Sequence, residues 1–174
     1  MEPYQIILLI VLLIAFIYVS LLLYVLTNVR EFARRLKKRT KAISIILSEQ
    51  CELYVSLGSI LEDQGIDLGE AAASLSELEE LGFDKPTFEN NLVAARLVKT
   101  VSSRLNYVLQ KNQTLPEDPR ITLYLDTLSD LDRNFRQATA LYNADVAGFN
   151  YWISVPTTKW FVWLFGFRKQ DLVS

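Results

Sequence analysis

Two pairs of carboxylates are the side chains in this sequence that come closest to a catalytic arrangement. Glu79 is followed directly by Glu80, and Asp130 and Asp132 are two residues apart. Paired carboxylates can carry out acid–base chemistry, and di-metal helical bundles use inward-facing Glu-x-x-His pairs to hold their ions. The sequence contains no His, and these acids fall mostly outside the apolar positions of their segments. We interpret them as solvated helix faces and expect no metal, no cofactor and no small-molecule substrate.

The nucleophiles of the chain lack the partners that would activate them. Without His, a Ser-His or Cys-His pair for acyl transfer is excluded. Cys51 is the only cysteine, so no disulfide can form within the chain. Its simplest role is that of a small buried apolar side chain. We therefore expect a protein that is not an enzyme.

The amino-terminal segment is the most distinctive feature of the chain, because no charged residue occurs from Pro3 to Val29. About 20 apolar residues in a helix suffice to cross the hydrocarbon core of a bilayer. A cleaved signal peptide is the alternative. No basic residue precedes the run, the run exceeds a signal core in length, and no small-x-small site closes it. We expect residues 1–29 to be a retained transmembrane anchor.

A basic collar follows the anchor at residues 30–41. A single acid, Glu31, stands among seven bases: Arg30, Arg34, Arg35, Lys37, Lys38, Arg39 and Lys41. Basic residues beside a span are retained in the cytoplasm. We therefore expect the span to lie in the cell membrane, with the amino terminus outside the cell and the residues after the span in the cytoplasm. We expect five of them to lie among anionic lipid headgroups: Arg34, Arg35, Lys37, Lys38 and Arg39. No aromatic-and-basic recognition pattern accompanies the collar, so nucleic acid is not an expected partner.

Beyond the collar, residues 42–174 hold 18 acidic against 11 basic residues, and apolar residues recur every three or four positions, as in amphipathic helices. The first helix is expected to continue from the anchor and to end at Gly65. Asp67 and Glu70 have the spacing of a capping box, which predicts a short helix ending at Gly82.

Two further helix starts are predicted. Asp84 and Pro86 mark the first, and its apolar face is Phe88, Leu92, Ala95, Val98, Leu105 and Val108. Asp118 and Pro119 have the residue types of an N-cap and first helical position. The face that follows is Ile121, Leu125, Leu128, Leu131, Phe135, Ala138, Tyr142, Val146, Phe149, Ile153 and Pro156.

No strand pattern occurs, so the predicted fold is all-α: a transmembrane helix followed by an antiparallel helical bundle over residues 42–156. The bundle has four helices, or three if residues 67–82 are half of a kinked helix.

The last helix resembles the carboxy-terminal signature of LemA family proteins. The residues that carry this likeness are Tyr142, Asn143, Phe149, Asn150, Ile153, Pro156, Leu164, Phe165, Gly166 and Phe167, with Leu115-Pro116 and Tyr124-Leu125-x-x-Leu128 before them. The family commonly has Tyr at the position of Phe149, and Gln50–Val55 lacks the Pro found in the family's first helix. The resemblance implies an anchored α-helical bundle without established enzymatic activity and with a role at membranes. Independently of it, Asn143 and Asn150 lie at the edge of the apolar face, where an amide can hydrogen-bond across a helix interface.

Residues 157–174 form a tail rich in aromatic and basic side chains. Lys159, Arg168 and Lys169 bracket its aromatic residues. The tail can cap the bundle, or it can lie in the membrane interface, where Trp is favoured and Lys and Arg reach the headgroups. In a four-helix bundle the tail returns beside the membrane, so we expect Trp160, Trp163 and Phe165 to be interfacial.

Together these features favour a single-pass membrane protein that is not an enzyme. Its cytoplasmic LemA-like bundle would act as an interaction or scaffold module for a protein partner whose identity the sequence does not give. The alternative is a membrane-active effector that remodels or permeabilises the bilayer through the anchor and the aromatic tail.

Overall fold

A computed structural model describes residues 2–81, 87–112 and 118–173. These residues form five helices: α1 (Pro3–Asp63), α2 (Glu70–Glu79), α3 (Phe88–Lys111), α4 (Pro119–Ser154) and α5 (Lys159–Leu164). No strand occurs in the described residues, so the predicted all-α class is confirmed. Residues 67–82 do not form half of a kinked helix, because α2 is a separate element. The tail, for which no secondary structure was predicted, contains α5.

Local hydrogen bonds explain the end of α1 and the starts of α3 and α4. Gly65 has a φ of 75°, and the amide of Ile66 donates to the Leu61 carbonyl at 3.0 Å, the closing bond of a Schellman motif. The Thr87 hydroxyl accepts from the Asn90 amide and caps α3. The Asp118 carboxylate accepts from the Arg120 amide at 2.8 Å, which confirms the predicted start of α4.

The predicted capping box of α2 is wrong. The N-cap is Gly69, with a φ of 52° and no side-chain cap bond. Asp67 instead accepts from the Gly69 amide at 2.9 Å, because its short side chain reaches the backbone two residues ahead in an Asx turn. The predicted boundary residues Gly82, Asp84 and Pro86 lie outside the described residues, as does Leu115-Pro116.

The predicted apolar faces need smaller corrections. In the first two turns of α3 the buried residues are Asn91 and Ala94, whereas Leu92 and Ala95 are half-buried, so the face is rotated there by one position. The predicted positions Val98, Leu105 and Val108 are buried. Asn91 is buried because its amide donates to the Thr40 carbonyl at 2.9 Å. Leu125 and Phe135 of α4 are half-buried, and Pro156 lies beyond its end and is exposed; the other predicted positions of this series are buried.

The chain divides into two compact units, and α1 and α4 each contribute to both. Unit 1 consists of Met1–Lys37, Tyr142–Leu172 and Ser174, and unit 2 consists of Lys38–Leu141 and Val173.

Within unit 2, the order of contacts fixes the direction of the helices. The Thr40 carbonyl of α1 accepts from Asn91 of α3, and Tyr54, later in α1, lies near Ser102, later in α3. The two helices are therefore parallel. The Gln64 amide, beyond the end of α1, donates to Asp118, just before α4, at 2.9 Å. Asp132, further along α4, acts electrostatically on Tyr54, which lies in α1, earlier in the chain than Gln64. In this unit α4 is therefore antiparallel to α1, and α2 is a separate pass that packs against both α3 and α1.

Within unit 1, α1 and α4 are also antiparallel. Contacts pair Tyr18 with Thr157, Tyr24 with Trp152, and Phe32 with Gly148, so the numbering rises on one helix as it falls on the other. The core between them contains Leu22, Val25, Leu26 and Val29 from α1 and Tyr142, Val146, Phe149 and Ile153 from α4. Burial of these apolar side chains is the main stabilising term of the unit.

The apolar part of α1 has two environments. Every residue from Pro3 to Leu21 is exposed, and burial begins at Leu22. Among the described residues, α1 is the one helix long and apolar enough to cross a membrane, with a mean hydropathy of 3.3 in its most apolar window. The exposed stretch of 19 residues is about 28 Å long at the rise of an α-helix.

Candidate membrane-interface site

The tail reverses direction between α4 and α5. After Ser154 the Val155 carbonyl accepts from the amides of Thr158 and Lys159, at 3.2 and 2.8 Å. These bonds close a turn through Pro156, whose fixed φ and missing amide suit a position where a helix has just ended. Gly166, with a φ of 79°, ends α5. The turn brings α5 back onto the amino-terminal helix.

Two hydrogen bonds join α5 and the turn before it to α1. The Tyr18 hydroxyl donates to the Thr157 carbonyl at 3.1 Å. It also accepts from the indole Nε1 of Trp160 at 3.2 Å. Val162 is completely buried. Sequence inspection missed Tyr18, because a Tyr within an apolar run has no local signal for a partner so distant in the chain.

The outer surface of α5 is aromatic and exposed. Trp160, Trp163 and Phe165, the predicted interfacial residues, have relative exposures of 56%, 57% and 46%, and Leu164 is 70% exposed. The rings of Phe161 and Phe165 meet edge to face at 5.0 Å, which keeps the aromatic side chains together. All three predicted residues therefore lie on the surface of unit 1.

Two guanidinium groups lie on these rings. Arg30 stands 5.7 Å from the Phe165 ring centre, and Arg168 stands 4.8 Å from the Trp163 ring centre. Neither guanidinium pairs with a carboxylate of the described residues. Arginines are commonly attracted to ring faces in this way. Arg30 belongs to the predicted collar and Arg168 to the bases that bracket the tail, but their contacts with aromatic rings were not predicted.

The predicted collar residues are divided between the units. Arg34 and Lys37 are exposed in unit 1. Arg35 also belongs to unit 1, where it pairs with Glu31 one helical turn earlier and lies 5.3 Å from the Phe32 ring centre. Lys38 and Arg39 belong to unit 2; the first is exposed and the second is half-buried.

The residues from Tyr142 to Phe167 that resemble the LemA signature lie in unit 1, where several attach the tail to α4, whereas Tyr124, Leu125 and Leu128 lie in unit 2. Phe149 and Phe167 meet edge to face at 6.2 Å. The Asn150 amide group donates to the Gln170 carbonyl at 2.8 Å and accepts from the Gln170 amide at 2.9 Å. The expectation that Asn150 bonds across a helix interface is therefore wrong, since its partner is the extended backbone of the tail.

The remaining signature residues serve packing and turns. Tyr142 and Ile153 are buried, whereas Asn143 is half-buried on the same helix. The pKa of Tyr142 is raised, first by burial and then by the charge of Asp171. Pro156 and Gly166 occupy the turns on either side of α5. Together with Phe149 and Asn150, these residues build the surface on which the tail rests.

Unit 2 contains an open cavity of about 580 Å³ between the loop before α2 and the end of α3. Its central cation, Arg104, donates to the Glu70 carbonyl at 2.9 Å and also contacts the Ser74 hydroxyl and the Glu70 carboxylate. Because this guanidinium is already bound to α2, Arg104 is not available to bind a ligand in the cavity. Its exposed aromatic residue is Tyr107.

The side chains that first suggested chemistry are placed elsewhere. Asp130 and Asp132 pair with Arg133 and Arg136 on the surface of α4, and Glu79 and Glu80 are exposed. Cys51 is buried, and burial, with a smaller contribution from Glu52, raises the pKa of its thiol to about 12. Within the described ranges no three His, Cys, Asp or Glu side chains cluster as metal ligands would.

No family model matches the sequence, and comparisons with curated proteins and with solved structures found no significant match. The resemblance to LemA proteins therefore rests on the quoted residues of the last helix and tail.

Proposed function

We propose that this chain is a single-pass membrane protein, not an enzyme, whose cytoplasmic LemA-like bundle acts as an interaction or scaffold module at the membrane. The observation that carries the proposal is the continuity of α1. This helix runs without interruption from an exposed stretch of 19 mostly apolar residues into unit 2.

The exposed apolar stretch needs a covering. Soluble monomers rarely expose contiguous apolar surface of more than a few hundred Å², and here every side chain around a helix of five turns is exposed. The length of the stretch, about 28 Å, is close to the roughly 30 Å thickness of a bilayer core. A bilayer supplies that covering on all sides of the helix, which supports membrane anchoring.

The orientation is proposed from the distribution of charge. Glu2 is the single charge before the span, whereas the exposed bases Arg34 and Lys37 and the ring-bound Arg30 follow it. Basic residues close to a span favour the cytoplasmic side. The collar thus supports a cytoplasmic position for the residues that follow it in the chain.

Unit 2 is the proposed interaction module. Its sequence holds sixteen acidic and eleven basic residues, and its surface carries separate exposed apolar side chains, including Tyr107, Leu123 and Leu141. Exposed aromatic and aliphatic residues surrounded by charge are the typical anchors of protein interfaces. A protein partner with a basic rim would suit this surface.

Photocrosslinking in intact membranes tests the module. A photoreactive amino acid at Leu123 or Tyr107 should yield defined protein adducts, because both side chains point outward. The same residue at Ile14, within the exposed apolar stretch, is the matched control and should label lipid. Adducts at Ile14 alone would contradict a protein-binding role for unit 2.

The membrane-active alternative makes a different prediction. If the chain permeabilises bilayers through its anchor and tail, vesicles containing the full chain should leak a trapped dye, and deletion of residues 157–169 should abolish the leakage. If the chain is an interaction module, the vesicles should retain the dye with or without the tail. The aromatic surface of α5 is the observation that keeps this alternative in view.

A further inference from the structure

The contact between Tyr18 and α5 fixes how deep the tail lies relative to the proposed span. Glu2 is charged and bounds the hydrocarbon core on its outer side, so the core begins no earlier than about Pro3. A core of about 30 Å takes up about 20 residues of helix, and it therefore ends near Leu23. Tyr18 lies before that point, at about 22 Å from Pro3.

Because α5 is hydrogen-bonded to Tyr18, it cannot lie in bulk water beyond the membrane if α1 spans the bilayer. Thr157 and Trp160 are the residues joined to the Tyr18 hydroxyl. Tilting the span moves the boundary to a later residue, which places α5 deeper still. The geometry thus puts the tail at the boundary of the leaflet from which the collar emerges.

The chemistry of the outer surface suits that boundary. Trp and Tyr side chains concentrate at membrane–water interfaces, and Arg side chains extend from apolar surroundings towards the headgroups. Trp160, Trp163 and Phe165 are exposed on α5, and Arg30 and Arg168 lie on two of these rings. Lys159 and Lys169 are exposed beside them.

The two arginines on this surface differ in their partners from four arginines of unit 2. Arg104, Arg120, Arg133 and Arg136 of unit 2 each pair with a carboxylate. Arg30 and Arg168 have aromatic rings and no carboxylate partner among the described residues. A guanidinium that lies on a ring and has no carboxylate partner can still donate to an external anion, and the planar fork of Arg matches a phosphate.

We propose that α5 and the residues after it form a second membrane attachment. In it Trp160, Trp163 and Phe165 enter the boundary between headgroups and acyl chains, and Arg30 and Arg168 bind the phosphates of anionic phospholipids. This inference rests on the proposed anchoring by α1 and adds to it a site of defined lipid chemistry. The proposed binding partner of this surface is a bilayer and not a protein.

Lipid-specific fluorescence quenching tests the site. The full chain, with Trp152→Phe, is placed in phosphatidylcholine bilayers that contain lipids brominated near the headgroup end of the acyl chain. Trp160 and Trp163 should be quenched by these shallow bromines more strongly than by bromines near the chain ends. Brominated phosphatidylglycerol should be enriched about fivefold at these residues over brominated phosphatidylcholine.

Charge variants separate the site from general attraction. Arg30→Gln with Arg168→Gln should reduce the enrichment to about onefold. The matched control, Arg133→Gln with Arg136→Gln, removes the same charge from exposed arginines of unit 2 and should leave the enrichment unchanged. Circular dichroism of both variants checks that the helices are retained.

The outcomes distinguish this site from the anchor. A chain that resists alkaline carbonate extraction, with Trp160 and Trp163 unquenched, would overturn the second attachment and leave the anchor standing. A chain that carbonate removes would overturn both proposals. Equal quenching by the two brominated lipids, or equal effects of the two pairs of substitutions, would overturn the assignment of Arg30 and Arg168.

Discussion

The indole Nε1 of Trp160 donates a hydrogen bond to the Tyr18 hydroxyl, 3.2 Å away and 142 residues earlier in the chain. The same hydroxyl donates to the Thr157 carbonyl. Both hydrogen bonds lie at the exposed surface of unit 1. Together they join α5 and the turn before it to α1.

The close approach of α1 and α4 depends on Gly148. A Cβ added there would lie 2.6 Å from Cε1 of Phe32, so we expect Gly148→Ala to lower the free energy of unfolding by about 1–2 kcal/mol. Overpacking costs about 1–3 kcal/mol, and the better helix propensity of Ala returns up to about 1 kcal/mol. Equilibrium unfolding of the full chain in detergent micelles measures the change.

A double-mutant cycle provides the control for this contact. In a Phe32→Ala background the ring is absent, and Gly148→Ala should be neutral or stabilising. The same loss in both backgrounds would show that the ring of Phe32 does not limit the helix separation.

The core of unit 1 can be tested with two neighbouring residues of α4. Tyr142 is 3% exposed and Leu141 is 47% exposed. Tyr142→Ala should cost about 3–5 kcal/mol, as for other large buried side chains, and Leu141→Ala less than about 1 kcal/mol. Chemical unfolding of both variants gives the comparison, and similar costs would mean that the buried face of α4 is misassigned.

Asn150 should control access to the end of the chain. Asn150→Asp keeps an acceptor for the Gln170 amide but loses the donor to the Gln170 carbonyl. Since a hydrogen bond contributes about 1 kcal/mol, we expect trypsin to cleave after Arg168 and Lys169 about fivefold faster. Asn134→Asp, an exposed position on α4, is the matched control, and an equal acceleration there would contradict the role of Asn150.

The charge of Asp118 should stabilise the start of α4 in a pH-dependent way. The pKa of this carboxyl is lowered, first by the hydrogen bond from the Arg120 amide and then by those from the side chains of Arg120 and Gln64. A lowered pKa in the folded state contributes stability above the ordinary value of 3.8 and loses it as the pH falls through the folded value. Asp118→Asn should therefore lower the melting temperature at pH 7 and have little effect at pH 2.

Thermal unfolding followed by circular dichroism at both pH values measures this difference. Asp126→Asn, an exposed acid within the same helix, is the control and should show no such dependence. A loss of equal size at pH 2 and pH 7 would assign the effect of Asp118 to capping geometry, not to charge.

Local signals in the sequence were sufficient for most of the fold. The spacing of apolar residues, the positive φ of Gly65 and the Asp118-Pro119 helix start each depend on residues a few positions apart. They could therefore be recognised without tertiary information. The start of α2 could not be predicted in this way, because the Asp67 side chain can accept from the amide of either Gly69 or Glu70, and it accepts from Gly69. The rotation of the α3 face likewise depends on a bond from Asn91 to α1.

The candidate site divides in the same way. The exposed aromatic residues of α5 were predictable from composition, since too many apolar side chains occur there for one helical face. Its attachments were not predictable, because Tyr18, Asn150 and Arg30 find their partners 139, 20 and 135 positions away in the chain. Only the reversal of the chain after Ser154 brings these groups together.

Labelling with a membrane-impermeant thiol reagent tests the proposed topology most directly. Single cysteines at residues 2, 45 and 172 in a Cys51→Ser background all replace exposed side chains. A single span with an external amino terminus predicts labelling at residue 2 in intact cells, and labelling at residues 45 and 172 only after permeabilisation. Labelling of residue 45 or 172 in intact cells, with residue 2 protected, would contradict the account.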